Sequence, residues 1–252
     1  MLKKLMGLVL FASLYAPAFA YVQDEVYVRG ILPTENITSL EIKPRFKAKD
    51  DSANKTVATV EIKPSFKLNK NWKFQSEIPV LRMSDGDYTQ KGLGDIMVAG
   101  YYTQYSPDKV FSYGVGSELV MPTATHRDLG DGKWVVEPEI FLVWKLSPRF
   151  FVETEYRHIF SFAGSSGRED INESRYRMIL GYVSPNHWWF EFDPRYTVDY
   201  VNKSEAELIG EFELGTMINV GTSAYIRGGW HLAGNKYSQD WELMLGFKIL
   251  YF

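Results

Sequence analysis

The chain contains no cysteine. That excludes disulfides, thiol catalysis, thiolate metal sites and a cysteine-linked lipid anchor together. No apolar run after the N-terminus is long enough for a helical membrane span, which needs ~20 residues. Histidine is scarce, with four in 252 residues, so imidazole chemistry has few places to be. A cationic excess is missing too: the formal charge is −3, and it becomes −5 once Lys3 and Lys4 are set aside. A nucleic-acid partner needs a basic footprint and is not expected. The chain is instead rich in aromatic side chains, 16 Tyr, 16 Phe and 7 Trp, in a sequence that is 23% charged.

The first twenty residues read as a secretory leader, which makes residues 21–252 the working domain. Lys3 and Lys4 give the positive start, Leu5 to Tyr15 the apolar middle, and Ala18-Phe19-Ala20 the small-residue cleavage site. Beyond it, apolar and polar residues alternate in twelve segments: Ser39–Lys49, Val57–Leu68, Trp72–Met83, Gly94–Tyr105, Val110–Met121, Trp134–Leu146, Phe150–Phe160, Arg175–Val183, Trp188–Tyr200, Ala206–Thr216, Ser223–His231 and Trp241–Phe252. A strand with period-two alternation meets a different solvent on each face. Such segments are long enough to cross a bilayer when tilted, and because only every second residue meets lipid, no window looks strongly hydrophobic. The expected fold is all-β: an antiparallel up-and-down transmembrane β-barrel of about twelve strands.

The connections alternate in length. Asn69-Lys70-Asn71, Ser106-Pro107-Asp108-Lys109, Ser147-Pro148-Arg149, Ser184-Pro185-Asn186 and Ile218-Asn219-Val220 are tight turns, while Asp50 to Thr56, Ser84 to Leu93, Pro122 to Lys133, Ser161 to Ser174, Val201 to Glu205 and Ala233 to Asp240 are mostly longer and more polar. Short turns belong to the periplasmic side of a bacterial outer membrane and long loops to the outside. Trp72, Trp144, Trp188 and Trp189 border short turns, and Trp134, Trp230 and Trp241 border long loops, the layout of two interfacial girdles. Pro44 and Pro64 fall inside strands, where bulges are expected. The last strand puts Trp241, Leu243, Leu245, Phe247, Ile249 and Tyr251 on one face. It resembles the C-terminal signal that the outer-membrane assembly machinery reads. Expected partners are therefore outer-membrane lipids, that machinery, and small-molecule solutes; no cofactor is expected.

Inward parity collects charge: Glu118, Glu137, Glu139, Glu153, Glu155, Arg157, Arg175, Arg177, Glu191, Asp193, Arg195, Glu211 and Glu213 take the face opposite the lipid residues. A one-residue slip would throw all of them into lipid, so parity is strongly constrained. Simple hairpin registers set Glu139 opposite Arg157, Glu155 opposite Arg177, Arg177 opposite Asp193 and Arg195 opposite Glu211. Two readings stand side by side: ion pairs that fill and brace the lumen, or a charged constriction that selects solutes.

Catalysis and metal binding have thin support. His158 and Ser161 sit three apart where a strand enters a long loop, but parity points His158 at lipid or the interface, and no third member follows from the spacing. Asp128-Leu129-Gly130-Asp131-Gly132 has the residue types to catch a cation, and ordinary turn chemistry accounts for it equally well.

The stretch Leu119-Val120-Met121-Pro122-Thr123-Ala124-Thr125, followed by Leu129-Gly130-Asp131-Gly132-Lys133-Trp134, joins Gly92-Leu93-Gly94-Asp95-Ile96 and Phe160-Ser161-Phe162-Ala163-Gly164 in a recognisable set. Over roughly residues 74 to 252 the chain resembles the outer-membrane transporter family named for the MetA pathway of phenol degradation. The resemblance implies a barrel of about twelve strands that passes aromatic or other small hydrophobic compounds.

Overall fold

Alternating side chains leave each segment one apolar and one polar face, and a closed sheet satisfies both without leaving an edge. The computed structural model describes residues 30–49, 55–236 and 238–251. The leader, its cleavage site and Phe252 lie outside them. The strands are β1 (Thr38–Lys49), β2 (Lys55–Lys67), β3 (Trp72–Asp85), β4 (Tyr88–Leu93), β5 (Ile96–Tyr105), β6 (Phe111–Met121), β7 (Lys133–Lys145), β8 (Phe150–Gly164), β9 (Asn172–Val183), β10 (Trp188–Asp199), β11 (Glu205–Asn219), β12 (Thr222–Gly234) and β13 (Trp241–Tyr251). Neighbours pair antiparallel in chain order, and β1 pairs with both β2 and β13, which closes the sheet.

The barrel has twelve strands, because β4 and β5 are two halves of one. β3 pairs with β4 from Val80 to Asp85 and with β5 from Trp72 to Glu77, and the register shifts by one residue between the halves, at Gly94-Asp95. The stretch expected as a long loop, Ser84 to Leu93, is thus mostly a strand extension. Gly86 makes the β3–β4 turn at φ +56°, while Gly94, just past the stretch, lies at the bulge. No bulge forms at Pro44 or Pro64. The register of β1 against β2 runs unshifted through Leu40↔Pro64 and Pro44↔Val60, so each proline interrupts hydrogen bonding locally without inserting a residue.

The bulge brings three of the motif segments into contact. The Asp95 carboxylate accepts hydrogen bonds from the backbone N–H groups of Ala124 (2.9 Å) and Asp131 (2.7 Å). Thr125 N–H donates to Leu93 O at 3.0 Å, and Ile96 N–H to Thr123 Oγ1 at 2.8 Å. The loop 122–132 therefore covers the edge of β4 that β6 is too short to reach. Gly130 is needed for this approach, since a Cβ there would stand 2.5 Å from Asp95 Oδ2.

The outward face carries the aromatic girdles. At the short-turn end Trp72 packs on Tyr102, Trp144 on Phe111 and Trp188 on Tyr182; at the long-loop end Trp241 packs on Phe46, Trp134 on Phe162 and Trp230 on Phe212. Trp189 departs from the expected layout. It points inward, is buried, and its indole N–H donates to Glu213 at 2.7 Å. Two consecutive strand residues cannot share a face, so only Trp188 joins the girdle. The Trp189 ring lies over Gly215 of β11, where a Cβ would come within 2.1 Å.

Candidate functional site: the charged lumen

Inward positions on β1 to β3 and on β6 to β13 carry a belt of ion pairs that runs round most of the wall. One concentration lies on β6 to β10. Arg157 donates to Glu118 (2.7 Å), Glu137 (3.0 Å), Glu155 (3.2 Å) and Glu139. Arg177 joins Glu155 (3.0 Å) to Asp193. A second is organised by Arg227 on β12, whose guanidinium faces Glu213 (2.7 Å), Glu211 (3.1 Å), Asp193 (3.5 Å) and Glu191 (3.6 Å). Arg195 reaches Glu211 at 3.1 Å. On the first strands Lys43 lies between Glu61 (2.8 Å) and Glu77 (3.0 Å), while Glu242 of β13 meets Lys47 (3.2 Å) and Arg45 (3.8 Å).

Eleven of the thirteen residues singled out on β6 to β11 for the lumen take part in these pairs. Arg175 and Glu153 do not: neither has an ion pair among the described residues, and Arg175 Nε is buried with no acceptor. The register agrees with expectation for Glu139↔Arg157 and Glu155↔Arg177. It differs at β10, where Arg177 is level with Arg195, and Asp193 is level with Glu211. The expected partners still meet, because a long arginine reaches the diagonal neighbour two residues along. Arg227 escaped the sequence reading, although its parity with Tyr225 in an alternating strand would have found it. Lys43, Arg45 and Lys47 of β1 and Glu77 of β3 also lie outside the expected lumen set.

The short-turn end of the lumen is filled by the segment that precedes β1. Leu32 packs against Val143, Phe151 and Ile179, on strands across the barrel from β1. Thr34 is fully buried; its carbonyl accepts from the Tyr105 hydroxyl (2.7 Å), and its hydroxyl meets Ser112 Oγ (3.1 Å). Lys73 and Lys248 donate to the carbonyls of Pro33 (3.2 Å) and Gly30 (3.0 Å), and Asn36 donates to Thr103 Oγ1 (2.8 Å). Nothing in the local pattern of residues 30–37 announces this, since the segment has no periodicity and its partners are distant in sequence. Two adjoining cavities of about 310 and 250 Å3 remain inside the barrel, and Arg177, Glu191, Arg227 and Lys248 line both.

The other candidates part company. The His158 ring faces outward beside Phe160 and Tyr200, with Nδ1 3.3 Å from Ser174 Oγ. Ser161 Oγ instead accepts from Ile171 N–H (3.0 Å) and donates to Asp170 (3.4 Å). Asp128 accepts from the Tyr88 hydroxyl at 2.9 Å, and the Asp131 backbone is held by Asp95.

The profile of the family described as "Putative MetA-pathway of phenol degradation" matches residues 54–230. The chain belongs to this family. No curated protein matches its sequence. Among solved structures, this member of the phenol-degradation family is similar to the COG4313 outer membrane channel from Pseudomonas putida F1, at TM-score 0.71 and 13% identity over 92% of this chain and all of that one. It is also similar to the KdgM porin (TM-score 0.61, 11% identity, 85% and 99% covered) and to the CymD monoaromatic hydrocarbon channel (TM-score 0.52, 9% identity, 90% and 94% covered). At these identities the likeness is one of fold.

Proposed function

We propose that the protein is a bacterial outer-membrane channel, not an enzyme, through which small organic solutes diffuse, and that small aromatic acids are the cargo its lining fits best. The observation that carries this reading is the pair of adjoining lumen cavities walled by the ion-pair belt. Family membership and the outer-membrane channels of like fold support the setting. A bare hydrocarbon would strip water from the wall charges without replacing their hydrogen bonds, at a cost of kcal/mol. An aromatic acid offers a ring to the inward Tyr101, Trp189 and Tyr225 and a carboxylate to a guanidinium. Arg175, on the wall outside the linings of the two cavities, is the natural first contact on the way in, since no carboxylate among the described residues forms an ion pair with it. The separate hydrogen-bond partners of His158 and Ser161 support the non-enzymatic part of the proposal, because a nucleophile must be paired with its base. The apolar outward row of β13 supports recognition by the assembly machinery.

A second reading is a barrel that does not conduct and works through its outer loops. The packing of Leu32 across the short-turn end favours it. Reversal potentials separate the two. Arg175→Gln removes a lumen cation without breaking a pair, so a channel will shift toward cations while its stability stays put. Wild-type protein that is folded and passes no current supports the second reading instead.

A further inference from the structure

Arg82 on β3 and Lys91 on β4 are the only Asp, Glu, Lys or Arg side chains at outward-facing strand positions among the described residues. They are also register partners, directly opposite each other across the β3–β4 hairpin. Like charges so placed repel, and no carboxylate relieves them: neither has an ion pair or hydrogen bond among the described residues. Both sit toward the long-loop end, in the row Leu243, Phe46, Ala58, Arg82, Lys91 that the registers define across five strands. Phe46 in that row belongs to the aromatic girdle through its contact with Trp241.

Ala58 is the small member of this row, and it leaves a depression between Phe46 and Arg82. Below it, Val60 and Val80 continue the apolar surface with Leu243 and Leu245 at its side, enclosing a groove of about 540 Å3. The long apolar side chains along it are exposed. An elongated apolar groove that ends at two unpaired cations complements an acyl chain carrying an anionic head.

We propose that this groove is a specific site for a phosphorylated glycolipid of the outer leaflet, with an acyl chain along Ala58 and Val60 and a phosphate bridging Arg82 and Lys91. A shared phosphate turns the repulsion of the two cations into two charge-assisted contacts. Burying one acyl chain beside Phe46 adds apolar contact that a free phosphate lacks. The site rests on the barrel lying in the outer membrane with its long loops outside; it does not depend on solute passage.

Native mass spectrometry of the full folded protein with bisphosphorylated lipid A in detergent tests it, with dephosphorylated lipid A and phosphatidylglycerol as the other arms. Wild-type protein should retain one lipid A. Arg82→Gln with Lys91→Gln should weaken retention about a hundredfold, since each charge-assisted contact is worth about tenfold. Ala58→Phe, which fills the groove and leaves both charges, should weaken it as well. Folding is checked for each variant by the heat-dependent shift in gel mobility, and Arg82→Lys should restore binding to a useful degree. Equal retention by wild type and the double variant overturns the site. So does equal retention of dephosphorylated lipid A, or a preference for phosphatidylglycerol. Conductance of the same preparations keeps this separate from the channel reading: a conducting barrel that retains no lipid A overturns the site alone, and a silent barrel that retains it overturns only the channel.

Discussion

Replacing Arg227 with alanine should destabilise the barrel by about 3 kcal/mol. Its guanidinium stands 2.7–3.6 Å from the carboxylates of Glu191, Asp193, Glu211 and Glu213, and removing it leaves four acids crowded on two neighbouring strands, β10 and β11, with one cation fewer. Deleting one partner of a buried ion pair costs about 3–5 kcal/mol. The Arg227 side chain keeps 18% of its surface, so lumen water screens the orphaned acids and places the loss near the lower limit. Arg195 is the internal control. Among the described residues it has a single ion-pair partner, Glu211 at 3.1 Å, and that carboxylate keeps Arg227 at 3.1 Å when Arg195 is lost, so Arg195→Ala should cost only about 1 kcal/mol. Urea unfolding of both variants in lipid vesicles, followed by tryptophan fluorescence, measures the difference. The reasoning fails if Arg227→Ala lies within about 1 kcal/mol of wild type, the range of an exposed pair, or costs no more than Arg195→Ala.

Three further outcomes follow from other parts of the wall. Asp95→Ala removes two charge-assisted hydrogen bonds, each worth about 1.5–3 kcal/mol, so trypsin should cut after Arg127 faster while the barrel keeps its heat-dependent mobility. Lys133 pairs with Asp170 at 2.7 Å and holds that carboxyl below the usual aspartate range, through its hydrogen bond and then its charge. Their contact is fully present above the ordinary aspartate pKa and is lost as pH falls through the lowered value; Lys133→Met should raise the Asp170 titration, read by NMR, toward the ordinary range, with the Ser161 hydrogen bond still in place. Leu32→Ala should weaken docking of the pre-β1 segment by about 2 kcal/mol or more, and bilayer recordings should then show larger, noisier currents.

Much of this architecture was legible because period-two alternation ties each residue to a face. The strands fell close to their expected bounds, and Arg157 and Arg177 met their expected acids even where the β9–β10 register differed by two residues. The β4 extension was hidden by glycine, which marks loops and bulges alike. Trp189 was misplaced because position beside a turn was weighed above parity. The segment around Leu32 was invisible because its packing is long-range, with contacts to Val143, Phe151 and Ile179 that no local pattern encodes. The motif residues around Asp95 and Thr125 stood out in the sequence, but their joint purpose, covering the edge of β4, emerges only from the bulge geometry.

The most direct test is single-channel recording of the folded protein in planar bilayers, with benzoate added to the long-loop side. A channel predicts discrete current steps that benzoate blocks in a concentration-dependent way, with weaker block in Arg175→Gln. Correctly folded protein that gives no steps at either polarity would contradict it.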